Sequence, residues 1–236
     1  MTRRALRLSA SVTCMNPLTY AETMRAFDAQ GLSAYHVDVC DGRFAKTFLL
    51  YPALLPWLRQ VTAARLDVHL YCLQPSLYVD QFVERGADSI IVQLEAEEDY
   101  AQVVGQIARK GVRAGLGILP GTPVPDSIRE VLPLLSMVVA NTVGPAFAGQ
   151  PYDARGLQTM DRVRALCDQE GAAPELVMDG AVNGERLEAA FSSGADHLVL
   201  GTSSVFKARA DWPAELRAFR AIAQASFERF GRPHGS

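Results

Sequence analysis

Lysine is scarce in this chain of 236 residues, which carries only Lys46, Lys110 and Lys207. None of the three ends an apolar run of strand type, and this argues against Schiff-base chemistry, which needs a lysine at a strand end. Net charge is nearly absent as well, at −3, so there is no basic surplus to draw nucleic acid or an anionic membrane. No apolar run is long enough to span a bilayer. Residues 1–8 hold Arg3, Arg4 and Arg7 but no apolar stretch of signal-peptide length. The four cysteines, Cys14, Cys40, Cys72 and Cys167, form no CxxC pair. They suit reduced thiols in a cytoplasmic protein better than a disulfide framework. Linkers and low-complexity segments are missing too.

What is present is a repeated pattern of strand, loop and helix. Apolar runs of strand type recur eight times: RLSASV, SAYHVDV, RLDVHL, DSIIVQL, RAGLGIL, LSMVVAN, ELVMD and DHLVLG. Helical stretches separate them. The first opens at the N-cap Asn16 with Pro17 at N1 and runs to Gly31; others lie around PALLPWLRQV, from Pro75-Ser76 to Gly86, and from about Glu97 to Lys110. Further helices are expected from Thr122-Pro123, from about Asp153 to Glu170, from about Gly184 to Ser193, and at the C-terminal end. Gly86-Ala87-Asp88 and Gly194-Ala195-Asp196 repeat the same helix stop and strand start. Eight alternating units predict a parallel sheet, and 49% hydrophobic residues can fill one core. The expected architecture is a single-domain (β/α)₈ TIM barrel over residues 1–236, with residues 1–6 and 232–236 frayed.

Two short strings carry the chemistry. The second strand ends in His36-Val37-Asp38, and the third holds Asp67-Val68-His69. Residues two apart on a strand share a face, so His36 and Asp38 point the same way. The seventh strand ends in Asp179. In a barrel of this kind the active site lies at the C-terminal ends of the strands, where His36, Asp38, His69 and Asp179 fall; Asp67, two residues earlier, is expected to be structural. Two imidazoles and two carboxylates there suit a metal site or an acid/base site. As ligands they fit Zn²⁺, or Mn²⁺ or Fe²⁺ where a carboxylate binds through both oxygens. Glycine-bearing loops follow the last three strands: Gly144 to Gln150, Asp179-Gly180-Ala181 and Gly201-Thr202-Ser203-Ser204. Such loops hold phosphate through backbone N–H groups, which points to a phosphorylated substrate.

Over residues 7 to 207 the chain resembles the ribulose-phosphate 3-epimerase family. The strings that carry the resemblance are SASVTCMN, YHVDVCDGRF, LDVHLYCLQP, GPAFAGQPY, VMDGAVN and VLGTSSVF. The CM after the first strand, FAGQP and LGTSS are more similar to the allulose-6-phosphate 3-epimerase branch. The resemblance implies that His36, Asp38, His69 and Asp179 hold a divalent metal (Zn first, with Mn, Fe or Co as alternatives) and that Asp38 and Asp179 are the acid/base pair. It implies substrate contacts at Ser11, His69 and Asp179, and at the phosphate-loop positions Ala146, Phe147, Ala148, Gly149, Gly180, Ala181, Gly201 and Thr202. A cytoplasmic homo-oligomer acting on a phosphorylated ketose is expected.

The chain departs from the family pattern in one region. Cys40, Tyr71 and Asn141 stand where the family has methionines that line the pocket, and they form a candidate specificity wall. Gln93-Leu94-Glu95 replaces a His-x-Glu string, Leu119 replaces an Asn, and Arg43 and Lys46 are placed near the mouth. The altered wall favours a hexulose 6-phosphate over a pentulose 5-phosphate. Two other readings remain: a non-catalytic sugar-phosphate binder, and a different sugar-phosphate isomerase or lyase on the same scaffold.

Overall fold

The computed structural model describes residues 5–145, 149–208 and 211–232. Of the ends expected to fray, residues 1–4 and 233–236 lie outside the described residues. Eight parallel strands close into a barrel in chain order: β1 (Arg7–Ser11), β2 (Ala34–Cys40), β3 (Arg65–Tyr71), β4 (Ser89–Gln93), β5 (Arg113–Ile118), β6 (Leu135–Asn141), β7 (Glu175–Asp179) and β8 (His197–Leu200). β8 pairs back onto β1, with Arg7 opposite His197, so no sheet edge is left open. The chain is a single (β/α)₈ TIM barrel.

Seven α-helices pack outside among the described residues: α1 (Tyr20–Asp28), α2 (Leu55–Arg59), α3 (Ser76–Glu84), α4 (Tyr100–Arg109), α5 (Arg155–Glu170), α6 (Leu187–Ser192) and α7 (Trp212–Phe230). Their starts follow local capping chemistry. Asn16 caps a 3₁₀ turn before α1 by accepting from Leu18 N–H at 3.1 Å, and Asp99 caps α4 through Ala101 N–H at 2.9 Å. The helix expected after β5 does not form. Two 3₁₀ turns, Asp126–Glu130 and Leu132–Leu134, make that crossing instead. Pro123, Pro125 and Pro133 break the stretch, because each lacks an N–H and restricts the residue before it.

Alternation along each strand stacks the barrel interior in layers. At the N-terminal end lies an ionic layer. Glu175 accepts from both terminal nitrogens of Arg65 at 3.0 Å and from Arg113 at 2.6 Å, and it meets His197 at 3.2 Å. Asp67 bonds Arg65 and Ser89 in the same layer, the structural role its position suggested. Above it Ile91, Met137, Val139, Val177 and Val199 form an apolar plug. The third layer, at the C-terminal strand ends, carries His36, Asp38, His69 and Asp179. A larger apolar shell fills the space between strands and helices. Among the described residues no helix is long and apolar enough to cross a membrane.

Candidate active site

The register of β2 against β3 sets the first part of the site. Asp38 lies opposite His69 in the parallel ladder, two residues beyond the pair His36 and Asp67. The His36 and His69 rings therefore meet edge to face at 83°, with His36 Nε2 3.0 Å from His69 Nδ1. His36 Nε2 is also 3.2 Å from Asp38 Oδ1 and 3.8 Å from Asp179 Oδ2, which in turn lies 3.9 Å from His69 Nδ1. One donor atom from each of the four residues falls within 4.8 Å of the other three. Ligands held about 2.0–2.2 Å from a common cation are roughly 3–3.6 Å apart at tetrahedral or right angles. The donor set, two imidazoles and two carboxylates, suits a divalent ion in chemistry; two of its contacts, at 3.0 and 3.2 Å, match that spacing, and the wider ones would close on binding.

The protein fixes each carboxylate differently. Asp38 Oδ2 lies 2.9 Å from the Ser11 hydroxyl and 3.0 Å from that of Thr13, and the two hydroxyls are 2.7 Å apart. Asp179 Oδ2 accepts from Asn141 Nδ2 at 3.1 Å and from the Tyr71 hydroxyl at 3.4 Å. Asn141 Nδ2 also donates to Tyr71 at 2.9 Å. The expected wall is therefore bonded to itself and to Asp179. Cys40 is buried with its thiol directed at the Ala45 carbonyl, 3.6 Å away.

These surroundings separate the protonation of the four groups. Burial opposes charge on Asp38, but the charge and hydrogen bond of His36 outweigh it and hold the carboxyl below its ordinary range. Burial drives Asp179 up, and with the charge of Asp38 it outweighs His36, leaving Asp179 at about 6. Burial lowers His36, yet Asp38 and then Asp179 raise it to about 9; burial and the charge of His36 push His69 down to about 3. The two aspartates are driven in opposite directions.

Above the donors opens a pocket toward solvent. Ser11, Asp38, Tyr71 and Asp179 line its floor and wall, and Gly149, Gly180, Ala181, Gly201 and Thr202 line its rim, as the loop pattern suggested. Cys40 and Asn141 stand behind this surface, not on it. Ala146, Phe147 and Ala148, expected to bind phosphate, lie outside the described residues. Arg43 and Lys46 do not line the pocket; Arg43 points to Glu97, 3.9 Å away. Gly180 adopts φ +104°, and a Cβ there would come within 2.5 Å of Val143. Its neighbour Ala181 has φ +47° despite carrying a side chain, and its carbonyl is held by Arg186. Thr13 is a site residue that the sequence alone does not point to. Its only signal is a second hydroxyl two positions past Ser11, beyond the strand end.

The chain matches the model of the Ribulose-phosphate 3 epimerase family over residues 7–206. It belongs to that family, and with it to the carbohydrate-phosphate epimerases. It is 34% identical over 189 residues to the ribulose-phosphate 3-epimerase of Synechocystis sp., covering 79% of this chain and 81% of the relative. It is 32% identical over 216 residues to the chloroplastic ribulose-5-phosphate-3-epimerase of Arabidopsis thaliana, covering 91% and 76%. Among solved structures, KGPDC from Streptococcus mutans superposes with a TM-score of 0.65 at 12% identity, covering 96% of this chain and 99% of the other. The 3-hexulose-6-phosphate synthase of Salmonella typhimurium gives 0.63 at 13%, covering 94% and 100%. At such identities these structures speak for the barrel fold alone.

Proposed function

We propose that the protein is a metal-dependent 3-epimerase of a ketose phosphate, with Asp38 and Asp179 as the two acid/base groups. One observation carries this: four N/O donors meet within 4.8 Å, and two of them, Asp38 and Asp179, line a pocket whose rim is made of glycine-bearing loops. His36, Asp38, His69 and Asp179 would hold the ion, with Zn²⁺ favoured by two imidazoles and two carboxylates, and Mn²⁺, Fe²⁺ or Co²⁺ as alternatives. When bound, a divalent ion supplies positive charge to the oxygens on the carbon being inverted and its ketone neighbour.

The remaining chemistry falls to the chain. Asp38, pinned through Oδ2 by Ser11 and Thr13, is held in one orientation for proton transfer at C3. Asp179, tied by Asn141 and Tyr71 on a different strand from Asp38, suits returning a proton to the other face of the planar enediolate. The roles exchange in the reverse direction. Gly149, Gly180, Ala181, Gly201 and Thr202, with Ala146 to Ala148, would bind the phosphate through backbone N–H groups. No lysine or arginine lines the pocket among the described residues, which leaves that task to the backbone. A cytoplasmic homo-oligomer goes with this reading.

The names of the relatives support a pentulose 5-phosphate as substrate. The hexulose 6-phosphate expected from Cys40, Tyr71 and Asn141 loses its main physical motive, because those polar groups are spent on one another, on Asp179 and on a backbone carbonyl. Schiff-base lyase chemistry is disfavoured in space as in sequence: Lys110 pairs with Asp80 at 3.0 Å and Lys207 with Glu215 at 2.7 Å. The deciding experiment ranks kcat/KM for pentulose, hexulose and heptulose phosphates, with and without chelator. Turnover of a ketose 5-phosphate, lost on chelation and restored by a divalent ion, is expected. No turnover of any ketose phosphate would favour the non-catalytic binder.

A further inference from the structure

We propose that Gln93 is a positioning residue: resting on the metal site proposed above, it keeps the His69 proton on Nε2 and so directs the Nδ1 lone pair at the other three donors. Gln93 is fully buried at the end of β4, with its side-chain amide between His69 and Glu95. The amide has two orientations. With its nitrogen toward His69, its oxygen faces only acceptors, the Glu95 carboxylate at 2.8 Å and the Gly117 carbonyl at 3.0 Å. Turned over, Nε2 donates to both of these, and Oε1 accepts from His69 Nε2–H at 2.8 Å.

The charge on Glu95 decides between them. The turned amide brings its oxygen 3.1 Å from Asn141 Oδ1, a contact between two neutral amide oxygens, while Asn141 keeps its nitrogen on Asp179 and Tyr71. An ionised carboxylate 2.8 Å from an amide oxygen is the worse clash, and a charge-assisted hydrogen bond in its place is roughly twice as strong as a neutral one. Glu95 is itself fixed, since its other oxygen accepts from Leu119 N–H at 2.8 Å. Gly117 on β5 leaves the room: a Cβ there would fall 2.6 Å from His69 Nε2 and 2.8 Å from the Gln93 amide. The result is a carboxylate–amide–imidazole chain from Glu95 through Gln93 to His69. Outer partners of this kind fix the tautomer and orientation of a ligating imidazole.

The test uses the full chain with ¹⁵N-labelled histidine, stripped with a chelator and read by NMR without added metal. His69 is expected to carry its proton on Nε2, with Nδ1 showing the shift of a bare ring nitrogen. Gln93→Met should mix the two tautomers and weaken Zn²⁺ binding, measured by competition with a chromophoric chelator, by about 10–100-fold. The reciprocal double variant Gln93→Glu/Glu95→Gln keeps an acceptor for His69 and a donor beside it, and should restore both readouts. A wild-type proton on Nδ1, or a Gln93→Met protein with unchanged tautomer and Zn²⁺ affinity, would overturn the proposal. A wild-type chain that takes up no divalent ion would instead overturn the metal reading, while the metal-free tautomer would still decide the role of Gln93.

Discussion

Thr13 Oγ1 reaches the same Asp38 oxygen that Ser11 does, at 3.0 Å, from a 3₁₀ turn just beyond β1. Three contacts among Ser11, Thr13 and Asp38 share two hydroxyl hydrogens, so each hydroxyl steadies the other as well as the carboxylate. Thr13→Val removes one hydrogen and leaves the volume. A hydrogen bond to a charged group contributes ~1.5–3 kcal/mol, so kcat should fall about tenfold or more, with KM little changed. Thr13→Ser should recover most of the loss. Steady-state kinetics of the two variants provide the check, and equal kcat values would remove Thr13 from the site.

Asp38→Asn and Asp179→Asn keep the side-chain size but remove the proton-carrying oxygen. General acid–base groups contribute ~10²–10⁴-fold, and each aspartate is also a proposed ligand, so the loss of turnover should reach or exceed that range. Circular dichroism should be unchanged, because the barrel core lies below this layer. Near-normal turnover in either variant would refute the pairing.

Much of this is legible in the chain. The eight apolar runs, the HxD and DVH strings and the late Asp-Gly give the barrel and the four donors, because strand periodicity fixes which residues share a face. The missing helix between β5 and β6 is harder to foresee, because a single proline after threonine is also a good helix entry. Here Pro125 and Pro133 follow Pro123 closely enough to stop the helix it would open. The self-bonded wall leaves no local signal at all. Asn141 meets Tyr71 across a separation of 70 residues and Asp179 across 38, and only barrel closure brings them together.

Ala181 holds φ +47° beside Gly180 at the pocket rim. A left-handed backbone costs a side-chain-bearing residue ~1–2 kcal/mol, partly offset by the extra chain entropy a glycine loses on folding. Ala181→Gly should therefore stabilise the fold slightly, raising Tm by about 1–3 °C. A lower Tm on calorimetry would show that Ala181 makes a compensating contact.

Glu175 anchors the ionic layer under the apolar plug. Burial alone would raise its carboxyl, but the hydrogen bonds and charges of His197 and Arg65 hold it well below its ordinary value of 4.5. A carboxyl depressed in the folded state binds fewer protons there than in the unfolded chain. Its contribution to stability is then complete above about pH 4.5 and is lost as the pH falls toward the folded value. Glu175→Gln should destabilise the barrel at neutral pH, although Arg65 keeps Asp67 as a partner, and should flatten the acid limb of the stability curve. Urea unfolding across the acid range up to neutral pH tests this; an unchanged acid limb would place the acid sensitivity elsewhere.

The most direct test of the central claim is the fate of the C3 proton in D₂O, followed by NMR on a ketose 5-phosphate. Two carboxylates acting from different strands should place one solvent deuterium at C3 of the epimer, while the unreacted substrate keeps its proton early in the reaction. Chelation should abolish the exchange, and so should Asp38→Asn. An epimer formed without deuterium at C3, or exchange indifferent to chelator, would contradict a metal-dependent two-base epimerase.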